Sequence, residues 1–443
     1  MPPYIEIAGT LEGVSREERR GSKADLLASL LKGLTPEIIR PAVRLLSGRL
    51  WPPWEPQEMG IGPEILGEVL EEISGRAVSR QAKGADPGDL ARSMVQSRSQ
   101  QTLTSTTTDM LQVYESLRMI PVQRGAGSIF RKKSILKGLL LSASPLEAKY
   151  IARTVLGRMM VGLGPSLMSA AIGKAFSADE TQVKKAYARL PDFGMVALKA
   201  SRGEIFDVRL APPNPARMML FRRDNSPWEM MEGAGRRACV VRYGGLRIQV
   251  HRFNEQVFIY TSQLRNVTSS LADLAEGLLR VKADFIMEGE FVLVRRGEIS
   301  PRSEMLGRIN LKSRSRGSAV PSFAASDLLY LDGKELIDES YAERRRNLSS
   351  ALGGVAGTPL SAKVFLADEA VLSDPDEAKD LLKRSLNQGY GGLLIRDLSG
   401  TYAPGEWSRG DVLASRSYGE RSPGSKNQGH PHQGASASDP LRI

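Results

Sequence analysis

The chain has 443 residues, 41% hydrophobic and 25% charged, the balance of a globular protein long enough for two or three domains with cores of their own. With 61 Lys and Arg against 50 Asp and Glu, the net charge is +11 at pH 7, which favours a polyanion, nucleic acid first, as the large partner. A single cysteine, Cys239, excludes an intrachain disulfide and three histidines leave no zinc-ligand cluster; without an apolar run of about 18 residues or a secretory leader, no membrane span is expected and the cytoplasm is the expected location.

From Ser22 to about Ala211 the pattern is helical. Thr35, Pro36 and Glu37 offer an N-cap, a proline at the first helical position and an acid near the positive end of the helix dipole, ahead of Ile38, Ile39, Val43 and Leu46 at helical spacing. Ser144 to Glu147 reads as a capping box opening a helix whose Ala148, Ile151, Val155 and Met159 share a face and which Gly162 and Gly164 close. Ser177 to Glu180 reads as a second box, ahead of Val183, Ala186, Tyr187 and Leu190. The segment Arg124-Gly-Ala-Gly-Ser128, followed by Arg131, Lys132 and Lys133, has a different character. Gly125 and Gly127 let a backbone approach a phosphate, N–H groups from Ser128 onward can donate to it, and the basic run adds counter-charge.

Prolines at 212, 213 and 215 break the helical pattern, which places domains at 1–211 and 212–416 and a tail at 417–443. Beyond the break, Gln256–Tyr260, Phe285–Val294, Phe323–Leu331 and Gly392–Arg396 read as strands among scattered helices. Ala238 to His251 reads as a β-hairpin, with Leu246, Ile248 and Val250 alternating with Arg247, Gln249 and His251. Tyr418 to Ile443, rich in Gly, Ser, Pro, His and Gln, cannot bury a core and is expected to be disordered.

Leu46 to Gly62, Ala85 to Ala91, Tyr150 to Arg158 and the turn at Gly125 to Ser128 resemble the helical DNA-binding domain of archaeal-type ATP-dependent DNA ligases, and Arg217 to Leu220 resembles the entry to their catalytic domain. Val240 to Arg247 resembles the segment Glu-Tyr-Lys-Tyr-Asp-Gly-Glu-Arg, whose lysine attacks the α-phosphate of ATP to form lysyl-AMP. The resemblance implies a multi-domain protein: an all-α DNA-binding domain, then an α+β nucleotidyltransferase (adenylation) domain. It implies duplex or nicked DNA as partner, ATP and Mg²⁺ as the requirements of an active member, and a place in DNA replication and repair. The family would continue past Trp407 through a Lys-x-Lys pair into an OB-fold domain; here Ser408, Arg409 and Gly410 follow, and no OB-fold domain is expected.

The chain departs from that pattern where the chemistry lies. Arg242 stands at the lysine position, Gly244 at the aspartate and Val240 at the glutamate, while Tyr243, Gly245 and Arg247 keep the family's residues. A guanidinium with a pKa above ~12 has no free lone pair, so Arg242 cannot act as the nucleophile. Ser262 occupies the slot of a nucleotide-contacting arginine, Ala324 and Ser326 the aromatic slots before Asp327, and Gly391 the place of a glutamate in the segment ending at Arg396. Glu288 and Glu290 keep the acidic motif. The expected catalytic set is therefore empty: Arg247, Glu290 and Arg396 remain as remnants, and no metal or cofactor is expected. Three readings follow. The first is a catalytically inactive, DNA-binding ligase-like protein. The second is an active ligase, using ATP and Mg²⁺ with another lysine (Lys199 and Lys312 are candidates by type alone) or sealing ends already adenylylated. The third is a protein-interaction module without DNA. The Gln-x-x-aromatic-aromatic segment by which such ligases engage the sliding clamp falls on Gln100 to Thr104, where Leu103 and Thr104 replace both rings; no useful clamp binding and a monomer are expected.

Overall fold

The structure is a computed structural model, described here for residues 2–55, 57–78, 86–98, 108–223, 227–233, 235–310 and 319–415. Gln100 to Thr104, Lys312 and the tail from 417 lie outside the described residues. No described helix is long and apolar enough to cross a membrane.

The first half is helical: α1 (Tyr4–Arg16), α2 (Arg20–Lys32), α3 (Pro36–Ser47), α4 (Pro63–Ser74), α5 (Pro87–Gln96), α6 (Met110–Val122), α7 (Ser128–Ser142), α8 (Pro145–Val155), α9 (Pro165–Phe176), α10 (Glu180–Arg189) and α11 (Phe193–Ser201). Five of these, α3, α4, α5, α8 and α9, open on proline, whose missing N–H would have no intrahelical acceptor there and whose fixed φ already suits a helix. Their apolar faces share one core, in which Ile39, Val43, Leu46, Leu117, Leu140, Tyr150 and Ile151 have no more than 1% of their surface exposed. The capping box at Ser144 and Glu147 forms with both bonds present. Two expectations fail here. The helix after Ser144 ends at Val155, because Gly157 takes the left-handed φ of +64° and turns the chain, leaving Met159, Gly162 and Gly164 outside it. Ser177 closes α9 at φ +54°, and Asp179, whose carboxylate accepts from the Gln182 N–H at 2.9 Å, opens α10 in its place.

The second half carries β1 (Leu220–Arg223), β2 (Arg237–Arg242), β3 (Leu246–Phe253), β4 (Gln256–Thr261), α12 (Ala272–Leu278), β5 (Phe285–Arg295), β6 (Glu298–Ile299) and α13 (Arg302–Asn310). After these come β7 (Val320–Leu331), β8 (Lys334–Glu335), α14 (Tyr341–Ala351), β9 (Val364–Leu366), β10 (Glu369–Leu372), α15 (Pro375–Asn387), β11 (Gly392–Asp397) and β12 (Trp407–Ala414). They form two sheets, one ordered β1-β12-β11-β2-β10 and the other β4-β3-β5-β7-β8 with β6 on β5 and β9 on β7. The four strands expected from the sequence appear as β4, β5, β7 and β11.

Ala238 to His251 is not a hairpin. β2 pairs with β10 and β11 in the first sheet, β3 with β4 and β5 in the second, and the chain crosses from sheet to sheet at Tyr243 to Gly245. Gly244 has φ +75°, and a Cβ on Gly245 would lie 2.4 Å from the Phe291 carbonyl oxygen, so the crossing needs both glycines. The hairpin that does form is β3 to β4, turning through Asn254 and Glu255, both at positive φ. The alternation was real, but its polar side faces inward: Gln249 and His251 are fully buried.

In the helical half the Arg44 guanidinium on α3 donates to Asp192 at 2.6 Å and to the Tyr114 hydroxyl at 3.1 Å, all within the core. Asp192 is also the N-cap of α11, accepting from the Gly194 N–H. Removing one partner of a buried pair leaves the other charge without compensation. Asp192→Ala is therefore expected to lower the unfolding free energy by about 3–5 kcal/mol, read from guanidinium melts. A loss below about 1 kcal/mol would show that the pair does not hold α3 to α11.

Candidate active site and nucleic-acid interface

The residues expected at a nucleotidyl-transfer site gather around the crossing from β2 to β3 between the two sheets. Arg242, at the end of β2, is half-buried with 32% of its side chain exposed, and its Nη2 and Nε donate to one oxygen of Glu290 on β5 at 2.9 and 3.2 Å. The other Glu290 oxygen accepts from the Tyr243 N–H at 2.6 Å. Both oxygens of this carboxylate are thus occupied by the crossing segment. Opposite them, the Gly391 N–H donates to the Arg242 carbonyl at 2.7 Å, and a Cβ on Gly391 would lie 2.8 Å from the Gly244 Cα. Two of the three positions where a family carboxylate is replaced, Gly244 and Gly391, are glycines whose backbones touch. Any side chain at 391 would push the strands apart.

The remaining carboxylates on this face are also paired. Glu288 accepts from Arg247 Nη2 at 2.6 Å, from Gln249 Nε2 at 3.0 Å and from the Tyr402 hydroxyl at 2.6 Å. The Arg247 guanidinium carbon sits 4.7 Å from the centre of the Phe221 ring. Asp327 on β7 lies between two buried arginines, Arg344 of α14 at 2.8 Å and Arg396 of β11 at 2.8 Å. Burial pushes the Asp327 carboxyl up, but the two guanidiniums outweigh it and hold the group down at about 2. Arg396 also reaches Asp411 of β12 at 3.3 Å and stacks its guanidinium 3.9 Å from the Tyr341 ring centre. Four arginines and four carboxylates therefore tie β2, β3, β5, β7, β11, β12 and α14 together.

The three residues expected as remnants, Arg247, Glu290 and Arg396, all belong to this system, and Arg242 joins it through Glu290. Val240 is buried in β2, paired with Leu394 and Glu369, and Ala324 lies buried on β7 opposite Glu290. Ser326 donates to the Glu288 carbonyl, and Ser262 sits in the exposed turn after β4. Arg344 and Asp411 were not singled out from the sequence. Arg344 lies in a run of three arginines that reads as a solvated helix face, and Asp411 stands in a strand with an exposed beginning; neither carries a local signal of burial. Lys199, a candidate nucleophile by type, is on α11 and pairs with Glu204 at 2.6 Å. Among the described residues no group of three or more His, Cys, Asp or Glu could hold a metal ion.

In the helical half, Gly127 at φ +72° is the N-cap of α7 and Gly125 stands at φ +78°. Arg131 folds back over this turn, its guanidinium donating to the carbonyls of Arg124 and Ala126 at 2.8 and 3.0 Å and to Gln123 Oε1 at 3.1 Å. Lys132 Nζ donates to the Met59 carbonyl at 2.9 Å, and Lys133 pairs with Glu68 of α4. The structure gathers Gly125, Gly127, Ser128 and Arg131 into one turn and directs Lys132 and Lys133 toward the neighbouring segment and helix. The segment 86–91 meets α8: Arg153, within 150–158, pairs with Asp86 at 3.1 Å, and Lys149, just before it, with Asp89 at 3.0 Å.

Residues 3–168 match the family model of the DNA ligase N terminus, and residues 218–413 match that of the ATP dependent DNA ligase domain. The sequence is 31% identical over 420 residues to a DNA ligase of Thermococcus fumicolans, a match that covers 91% of this chain and 73% of the relative. The chain belongs to the ATP-dependent DNA ligase family. This ligase-family chain is also 30% identical over 418 residues to a DNA ligase of Methanopyrus kandleri, covering 91% and 74% of the two, and 32% identical over 375 residues to that of Archaeoglobus fulgidus, covering 82% and 66%. Among solved structures, one titled Pmar-Lig_PreS3 superposes with a TM-score of 0.53 at 11% identity, covering 93% of this chain and 78% of the other, which shows a shared fold. A helical amino-terminal half followed by a mixed α/β nucleotidyltransferase-like half is the arrangement of this ligase relative.

Below the carboxylate system lies His251, fully buried, its Nε2 2.8 Å from Gln249 Oε1, which also accepts from the Ala216 N–H. That oxygen is an acceptor, so Nε2 carries the hydrogen, and Nδ1 has no partner among the described residues. Burial holds the ring neutral down to about 3, far below its ordinary 6.5. An unfolded chain takes up this proton below pH ~6.5 while the folded one does not, so the stability from the neutral ring is complete above ~6.5 and is lost as pH falls toward 3. His251→Phe is expected to flatten the dependence of unfolding free energy on pH between about 6 and 4.5 by about 1.4 kcal/mol per pH unit, the share of one proton. Denaturant melts across that range measure it, and an unchanged slope would show that His251 does not govern the acid limb.

Proposed function

We propose that this ligase-family protein binds duplex or nicked DNA through its helical half and forms no lysyl-AMP. The observation that carries this reading is Arg242 in the nucleophile position, ion-paired with Glu290. Arginine keeps its proton at any pH at which a protein folds, and its delocalised lone pairs do not attack phosphorus. The reading is further supported by the contact of Gly244 with Gly391, which leaves no room for a carboxylate beside the ATP phosphates, and by the arginine partners already on Glu288, Glu290, Asp327 and Asp411. A metal-bound nucleotide would have to break those pairs before it could use the carboxylates. We place the boundary between the two functional halves at 211/212, and read the protein as a monomer that needs neither ATP nor Mg²⁺ and does not depend on the sliding clamp.

The helical half is the basis of the DNA reading, since its match to the ligase N terminus spans the glycine turn and the paired segments at 86–91 and 150–158. The helix N-terminus behind Gly127 offers backbone donors without reading base sequence, so contact would be to the phosphate backbone, as the net charge of +11 also favours.

Incubation with α-labelled ATP and Mg²⁺ followed by a denaturing gel tests the chemistry. No labelled band is expected for the wild-type protein, and none for Arg242→Lys, because a lysine alone does not restore the positioning whose loss costs ~100-fold or more. A band in the wild type would overturn the reading. A strong band in Arg242→Lys alone would show that the surrounding site still positions ATP.

A further inference from the structure

At the end of the α6–α7 hairpin most cations are paired with the protein itself, while large apolar side chains are left exposed. Arg131 is consumed by the turn itself, Lys132 by the Met59 carbonyl, Lys133 by Glu68 and Lys137 by Glu72. At the same end of the hairpin Phe130 is 75% exposed, Val122 59%, Ile129 56% and Met119 48%. They occupy the last turns of α6 and the first turn of α7, which Gln123 holds together by donating to the Met119 carbonyl and accepting from Arg131. Four large apolar side chains left in water at one end of one hairpin mark a contact surface, since scattered exposure needs no explanation but a cluster does.

The charge around the cluster selects the partner. Arg118, Arg124, Arg131, Lys132, Lys133 and Lys137 stand here against Glu115, Glu68 and Glu72, a surplus of cations. Arg118 lies over the rings of Trp51 and Tyr114, whereas Arg124 is exposed and makes no side-chain hydrogen bond or ion pair with a described residue. An apolar knob with a cationic rim fits a polyanion that also offers apolar surface. DNA is such a polyanion, because deoxyribose faces and base edges lie between its phosphates, and apolar side chains set against them are a known means of gaining contact without charge.

We infer that Met119, Val122, Ile129 and Phe130 form an apolar contact surface for duplex DNA, with Arg124 supplying counter-charge at its rim. This rests on the DNA reading above and adds to it a part of the affinity that salt does not screen. Counterion release gives the cationic contacts a steep salt dependence, whereas burial of Phe130 and Ile129 releases no counterions. The two contributions therefore separate in a plot of log affinity against log salt.

Fluorescence anisotropy with a nicked duplex of about two helical turns, between about 50 and 200 mM NaCl, reads both. Ile129→Ala combined with Phe130→Ala is expected to weaken binding about tenfold at every salt concentration with the slope unchanged. Arg124→Ala is expected to flatten the slope by up to about one. Ile129, Phe130 and Arg124 are exposed, so melting temperatures should stay with the wild type; Met119→Ser with Val122→Ser gives an independent variant of the same surface, expected to weaken binding likewise. If the wild type binds no DNA at low salt, the DNA reading falls and this inference with it. If the wild type binds and the apolar variants bind as well as it does, the inference alone falls. Size-exclusion dimerisation that Phe130→Ala abolishes, with DNA affinity intact, would assign the surface to a second copy of this chain and overturn the inference.

Discussion

The pairing of arginine with carboxylate between the two sheets is the constraint on which the second half of the molecule depends. Asp327 has no surface to speak of in contact with water, and it stays charged because Arg344 and Arg396 lie on either side of it. Arg396 in turn needs Asp411, and Glu288 needs Arg247. Each ion is costly to bury alone and tolerable in company, so within each group removing a member leaves its neighbour uncompensated. The group around Asp327 joins β7 of one sheet to β11 and β12 of the other and to α14.

This arrangement makes the changes in the sequence mutually consistent. Glu290 without Arg242 would be a mostly buried carboxylate left with the Tyr243 N–H; with it, the pair closes the crossing segment between the sheets. Glycine at 244 and 391 lets two backbones approach to a distance that no side chain permits. The replacements stand in contact with one another, at the end of β2 and the start of β11, and answer each other in geometry as well as in charge.

Much of the architecture was legible in the sequence because it rests on local signals. Proline at the first helical position marked α3, the capping box marked α8, and the period of two marked β4, β5, β7 and β11. The failures share a physical cause. Ser177 carries the residue type of an N-cap but sits at the end of a helix, and only the chain's turn at φ +54° decides which. Ala238 to His251 looked like a hairpin because alternation cannot tell a strand's pairing partner; the sheet to which β2 belongs is set by β10 and β11, more than 120 residues later. The same limit hid Arg344 and Asp411, whose partners come from distant strands. In the helical half the basic run after Gly127 was visible, but that Arg131, Lys132 and Lys133 turn to the protein's own carbonyls and carboxylates was not.

The chain keeps the fold of the ATP-dependent DNA ligase family, and around the crossing between its sheets arginines and carboxylates are paired with one another. The most direct test of that account is calorimetric titration of the intact protein with ATP in the presence of Mg²⁺. If the pairs of Arg242 with Glu290, Arg247 with Glu288 and Arg396 with Asp327 occupy the site, binding should be no tighter than about 1 mM, equivalent to about −4 kcal/mol. Saturable binding in the micromolar range would contradict it and show that the site opens for its nucleotide.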